Sequence, residues 1–206
     1  YLAKPFDPRE LRARVASLLR LVRRESDRNP TSGLPGGRAI EDHISGRVAA
    51  GAQFAVCYID LDNFKAFADT FGFSHADDVI RRTGAAIADS AAAVGGRGDF
   101  VGHIGGDDFL VVTTEENAEA IAAESARRFR DAVAPVVGDE AMSRGTFFGV
   151  DRDGSVKEFP LACLSVAVLL VDPSRWDSMA HLGARAAEVK RVAKQKGAGT
   201  VVVEKV

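Results

Sequence analysis

Apolar and polar positions follow two rhythms along this chain. After an Asp7-Pro8 pair, Leu11, Val15, Leu18, Leu19 and Val22 recur at helical spacing, with Arg9, Arg12, Arg14, Arg20, Arg23 and Arg24 around the remainder. This predicts an amphipathic helix with proline in its first turn, whose apolar stripe needs a partner. Asn29-Pro30 and Gly33-Leu34-Pro35-Gly36-Gly37 break the rhythm and predict a boundary between residues 25 and 36. Beyond it, helical spacing predicts helices over 38–50, 76–94, 115–133 and 176–196, the second with Val79, Ile80, Thr83 and Ile87 on one side. The last is expected to be capped by Asp172 or Ser174 and stopped at Gly197. Short apolar runs predict strands over 54–60, 101–104, 109–113, 146–150, 156–159, 164–171 and 200–204. Asp153-Gly154 marks a hairpin, and the near-continuous apolar run 164–171 predicts a strand inside a sheet. The sum is an α+β or α/β layered domain, with a mixed central β-sheet flanked by helices.

Composition narrows the class. The chain has 206 residues, 46% hydrophobic and 27% charged, which suits one globular domain plus an appendage. No apolar run reaches the roughly 18 to 20 residues of a membrane span and no signal segment opens the chain, so no membrane association is expected and the expected location is cytoplasmic. A net charge of −2 gives no indication of nucleic acid as a partner. Cys57 and Cys163 sit in apolar runs and read as small buried hydrophobes. His43, His75, His103 and His181 lack metal-ligand spacing and read as solvated or structural.

Two acidic stretches could carry chemistry. The strand over 54–60 ends in Asp60-Leu61-Asp62-Asn63-Phe64-Lys65, and Gly105-Gly106-Asp107-Asp108 separates two other short strands. Taken singly, each reads equally as a turn or helix cap. If their strands are neighbours, Asp60 and Asp107 could share hard divalent cations such as Mg²⁺, with nucleotide phosphates completing the octahedron.

The run 29–38, then Ile59-Asp60-Leu61-Asp62-Asn63-Phe64-Lys65, Asp69-Thr70-Phe71-Gly72, Asp77 and Ile104-Gly105-Gly106-Asp107-Asp108-Phe109, resembles the GGDEF family of diguanylate cyclases in order and spacing. The resemblance covers residues 27–206 and implies an α+β, nucleotidyl-cyclase-like fold. Tyr1-Leu2-Ala3-Lys4-Pro5-Phe6-Asp7-Pro8 resembles the end of a response-regulator receiver domain, so residues 1–26 are expected to be a receiver remnant plus linker helix. Active relatives join two GTP molecules into cyclic di-GMP across a dimer. By resemblance, Asp60, the Leu61 carbonyl and Asp107 are metal ligands. Asp107, Asp108 and Lys65 are the catalytic candidates, and Phe64, Lys65, Asp77, Gly105, Gly106 and Lys194 are the candidates for substrate binding. The implied cofactor is Mg²⁺. The implied partners are GTP or another guanine nucleotide, a second copy held through the N-terminal helix, and a receiver domain upstream.

Departures qualify that picture. Asp108 is one methylene shorter than the family's glutamate, Ala68 replaces a guanine-binding asparagine, and Phe73 replaces a histidine. Ala76 replaces a glycine, His103 an arginine, Ala187 an aspartate and Ala198 a phosphate-binding arginine. Gly96 stands where the product-inhibition arginine belongs, and Arg97-Gly98-Asp99 reads as a polar turn. Each lost charge-assisted contact is worth roughly 1.5 to 3 kcal/mol. The expectation is a divergent output domain in cyclic di-GMP signalling that binds GTP and Mg²⁺ weakly, with impaired or absent cyclase activity. The alternatives are an active cyclase and a non-catalytic dimerisation scaffold.

Overall fold

The computed structural model describes residues 7–150 and 154–206. Its helices are α1 (Pro8–Ser26), α2 (Gly37–Ala50), α3 (Phe64–Phe71), α4 (Phe73–Val94), α5 (Glu115–Val137), α6 (Asp139–Arg144) and α7 (Met179–Lys196). The strands are β1 (Phe54–Leu61), β2 (Phe100–Gly105), β3 (Asp108–Thr113), β4 (Thr146–Val150), β5 (Val156–Pro160), β6 (Leu164–Val171) and β7 (Val201–Lys205). The expected α+β architecture is present: a five-stranded sheet in the order β2-β3-β1-β6-β7, with only the β6–β7 pair parallel.

The central strand β1 explains why the sheet's apolar runs look continuous. Ala55, Cys57, Ile59 and Leu61 point to one face, against Val79, Ile80 and Ile87 of α4 and Ile121, Ala122 and Phe129 of α5. Phe54 and Val56 point to the other, against Ile40 and Ile44 of α2 and Leu182, Ala186 and Val189 of α7. Successive strand residues alternate between faces, and with helices on both faces neither set can be polar.

Several expected boundaries shift. The last helix begins at Met179, not Trp176, and its cap is Ser178, whose hydroxyl accepts from His181 N at 3.1 Å. Asp172 instead caps a single 3-10 turn over Pro173–Arg175 through Ser174 N. The short helices α3 and α6 were not legible in the apolar spacing. β4 and β5 form a separate two-stranded sheet, so the hairpin is present, although Asp153 of its expected turn lies outside the described residues.

On α1, Leu11 and Val15 are exposed, in keeping with a stripe that needs a partner. Leu18, Leu19 and Val22, like the stretch Tyr1 to Phe6, carry no described side chains. Among the described residues no helix is long and apolar enough to cross a membrane. The junction after α1 is tied from a distance: Asp27 accepts from Ala39 N at 2.8 Å and so caps α2. Gly36 is required there, because a Cβ would stand 2.2 Å from the Asp27 carbonyl oxygen.

Candidate functional site

The end of β1 gathers charged side chains from three elements. Asp60 shares the face of Phe54, Val56 and Tyr58, and so points toward α7. The strand register sets it opposite Asp108 of β3 and Ser165 of β6. It is only 2% exposed.

The positive charge comes from α7, whose Leu182, Ala186, Val189 and Ala193 are buried. Lys190 and Lys194, one helical turn apart, flank that stripe and reach the strand end. Lys190 Nζ lies 2.6 Å from Asp60 Oδ1 and 2.6 Å from Asp108 Oδ1. Lys194 Nζ contacts Asp60 Oδ2, an atom with no hydrogen bond of normal geometry, and is 3.8 Å from Asp62 Oδ1. Burial acts to lower the Lys190 pKa, but its bonds to Asp108 and Asp60 outweigh this and hold the ammonium above its ordinary value.

The hairpin between β2 and β3 brings the remaining carboxylates. Leu61 N donates to the Asp107 carbonyl at 3.4 Å, which ties the hairpin to the strand end. Gly105 and Gly106 have φ of +152° and +61°, and a Cβ on either would meet nothing within 4 Å, so open space lies over both. Asp60, Asp107 and Asp108 each offer a ligand oxygen, and all of these lie within 4.8 Å of one another. Burial, then the charge of Asp60, raises the Asp107 pKa. Burial also raises that of Asp108, against the opposing pull of Lys190. Crowded carboxylates of this kind suit a hard divalent cation, so the donor set fits Mg²⁺.

His103 supports the hairpin from below. It is buried, its ring stacks on Phe109 at 4.2 Å, and its backbone N donates to the Pro35 carbonyl at 2.8 Å. Nε2 lies 3.1 Å from the Gly106 carbonyl, which can only accept, so Nε2 carries the proton and Nδ1 accepts from Ser32 Oγ at 2.8 Å. Burial holds this histidine below its ordinary pKa, although the Gly106 carbonyl and Asp107 pull the other way.

Asp62 has a different use from Asp60. Its carboxylate accepts from Ser165 Oγ, from Cys163 Sγ at 3.5 Å and from Gly199 N at 3.1 Å, while its own N donates to the Cys163 carbonyl at 2.9 Å. It fastens the end of β1 to the start of β6 and to the turn after α7. Burial and Asp62 push the Cys163 thiol up to about 12, so it is not a nucleophile at neutral pH. Cys57 is fully buried, as its apolar run implied.

The other candidates stand apart from this cluster. Lys65 is exposed in the first turn of α3, where Asn63 adopts φ of +60° just before the helix. Phe64 is half-buried and packs against the core beneath that helix. Asp77 is exposed one turn into α4, a helix opened by Phe73 at 87% exposure. Arg97, Gly98 and Asp99 form the expected turn, with Asp99 Oδ2 accepting from Gly96 N at 2.8 Å. The sequence reading missed Lys190. Its signal was present: a lysine beside the apolar stripe of a helix, four residues before Lys194.

Comparison with known proteins gives the family. Residues 27–146 match the family model described as "Diguanylate cyclase, GGDEF domain". The chain belongs to the GGDEF family. An uncharacterized protein of Mycobacterium tuberculosis is 31% identical over 145 residues, covering 68% of this chain and 22% of that protein. The diguanylate cyclase DgcP of Escherichia coli is 30% identical over 124 residues, 58% of this chain and 34% of that one. The GGDEF chain thus spans about a fifth to a third of these relatives' lengths. Among solved structures, the diguanylate cyclase SiaD of Pseudomonas aeruginosa, crystallised with its activator SiaC, matches with a TM-score of 0.64 at 19% identity, covering 95% of this chain and 68% of that one. The coiled coil and GGDEF domain of Caulobacter crescentus DgcB, in complex with c-di-GMP, matches with a TM-score of 0.60 at 21% identity, covering 93% of each chain. These two likenesses are of fold.

Proposed function

We propose that this GGDEF domain binds a guanine nucleotide with Mg²⁺ at the end of β1, weakly and with impaired or absent cyclase activity, as the output domain of a response regulator. The observation that carries this reading is the gathering of Asp60, Asp107 and Asp108 beside two glycines whose outer side is open. Bound there, Mg²⁺ would supply neutralisation of the phosphates and polarisation of the attacking hydroxyl. Asp60, Asp107 and the Leu61 carbonyl would hold it, while Gly105 and Gly106 admit the phosphates to the backbone.

Lys65, at the start of α3, and Lys194 are assigned to the phosphates, and Asp77 to the guanine N–H groups, with Phe64 at the base of the nucleotide pocket. Asp108 carries the catalytic doubt. Its carboxylate is set back by one methylene and already engaged by Lys190, and phosphoryl chemistry tolerates little misplacement. With Ala68, Phe73 and Ala198 at three further recognition positions, GTP affinity is expected to fall by roughly 10² to 10⁴ if the losses add.

The apolar stripe of α1 supports pairing with a second copy, which the cyclase reaction requires, since each subunit brings one GTP. The test is incubation of the protein with GTP and Mg²⁺, with chromatography for cyclic di-GMP. No product together with calorimetric GTP binding is the expected result. Steady turnover would replace this reading with an active cyclase, and absence of both product and binding would leave a dimerisation scaffold.

A further inference from the structure

The carboxylate cluster has a feature that its fit to a metal does not explain. An ammonium already sits in it. Lys190 Nζ touches one oxygen of Asp60 and one of Asp108 at 2.6 Å each, bridging two of the three acids that would ligate a cation. Lys190 is not a loose surface lysine. Its side chain is 23% exposed, its Nζ lies 5.4 Å from the Tyr58 ring centroid, and α7 is anchored by Leu182, Ala186 and Val189 on the sheet.

We propose that Lys190 is a tethered counter-cation which holds the divalent-metal position closed, so that a metal ion enters only by displacing its ammonium from Asp60 and Asp108. This deepens the reading of the site as a nucleotide–metal site and rests on it. Two arguments support it. First, a divalent cation needs oxygen lone pairs on one side of each carboxylate, and Lys190 occupies an oxygen of both Asp60 and Asp108. Second, three carboxylates against Lys190 and Lys194 leave one net negative charge in the cluster, and removing Lys190 doubles it. Attraction for a dication in a half-buried site scales with that charge. The cost of entry therefore includes breaking two short ion pairs. In a chain lacking this lysine, the same acids would repel one another and recruit the metal directly.

The probe is Mn²⁺, a hard octahedral stand-in for Mg²⁺, titrated while the free-ion signal is followed by electron paramagnetic resonance. Lys190→Met, of similar length and no charge, is expected to tighten Mn²⁺ binding by about tenfold or more, whereas Lys190→Arg leaves it weak. Lys190→Gln is a second neutral variant, and circular dichroism establishes that the variants compared are folded. In the wild-type protein, nitrogen-15 NMR should show the protected Lys190 ammonium signal disappear as Mg²⁺ saturates the site. Unchanged or weaker binding in both neutral variants, or an ammonium signal that persists at saturation, overturns the proposal. If wild type still binds Mn²⁺ and Asp107→Asn abolishes that binding, the metal reading survives the failure. Absence of Mn²⁺ binding in every form, at millimolar ion, overturns both.

Discussion

The floor and the rim of the site are built in opposite ways. The floor, at the ends of β1 and β3, consists of carboxylates whose positions follow from strand register and whose charges are met by α7: Asp60 is 3% exposed at its side chain and touches two lysines. The proposed rim, near the starts of α3 and α4, presents Lys65, Phe73 and Asp77 to solvent. The floor is held by the fold whether or not a ligand arrives. The rim is held only by its helices. On the proposed reading, substitution at the rim costs the fold little, while the acids below are locked into the packing of the sheet.

Breaking the floor should cost most. Asp62→Ala strands Ser165 and Gly199 N without their acceptor and unties β1 from β6, so unfolding in urea should show a loss of about 3 kcal/mol, within the range for losing buried charge-assisted bonds. A loss below about 1 kcal/mol would mean that Asp62 is not the fastener described here.

The support beneath the hairpin should show next, through pH. His103 titrates below its ordinary value of 6.5 in the folded protein, chiefly from burial, so between those two values the unfolded chain binds more protons. Stability should fall as pH drops below about 6.5 and level off once the pH passes the folded-state value. His43, lowered by burial and by Arg47, adds to the same window. His103→Asn should flatten part of that slope in thermal melts followed from pH 7.5 to 5; an unchanged slope would assign it all to other groups.

Smallest in stability is the rim. Lys65→Ala and Asp77→Ala should each leave the unfolding free energy within about 0.5 kcal/mol, yet abolish whatever GTP binding calorimetry detects in the parent. Equal loss of stability at rim and floor would erase the distinction.

The family's spaced motifs located the hairpin, the strand end and the family itself, because glycines, prolines and carboxylates at turns are local signals that survive divergence. Other features were less visible. The start of α7 was misplaced by a few residues because Asp172 and Ser174 read as its caps, whereas Asp172 caps a separate 3-10 turn and Ser178 caps the helix. The sequence assigned Asp60 to a metal and gave its neighbour Asp62 no role. Their fates differ because the first lies in the strand and faces α7, while the second stands past its end and meets the β6 start and the turn after α7.

By itself the sequence determined the order of the strands and the longer helices, the apolar faces, and the residue types available at the turn tips, all of which depend on neighbours within a few positions. The tertiary structure decided which carboxylates share a site, which of them is only a fastener, and that Lys190 lies among them. Those outcomes depend on register between β1 and β3, separated by about fifty residues, and on where α7 crosses the sheet. No spacing along the chain encodes that crossing, so the cation held against the acids becomes visible only once the helix is packed.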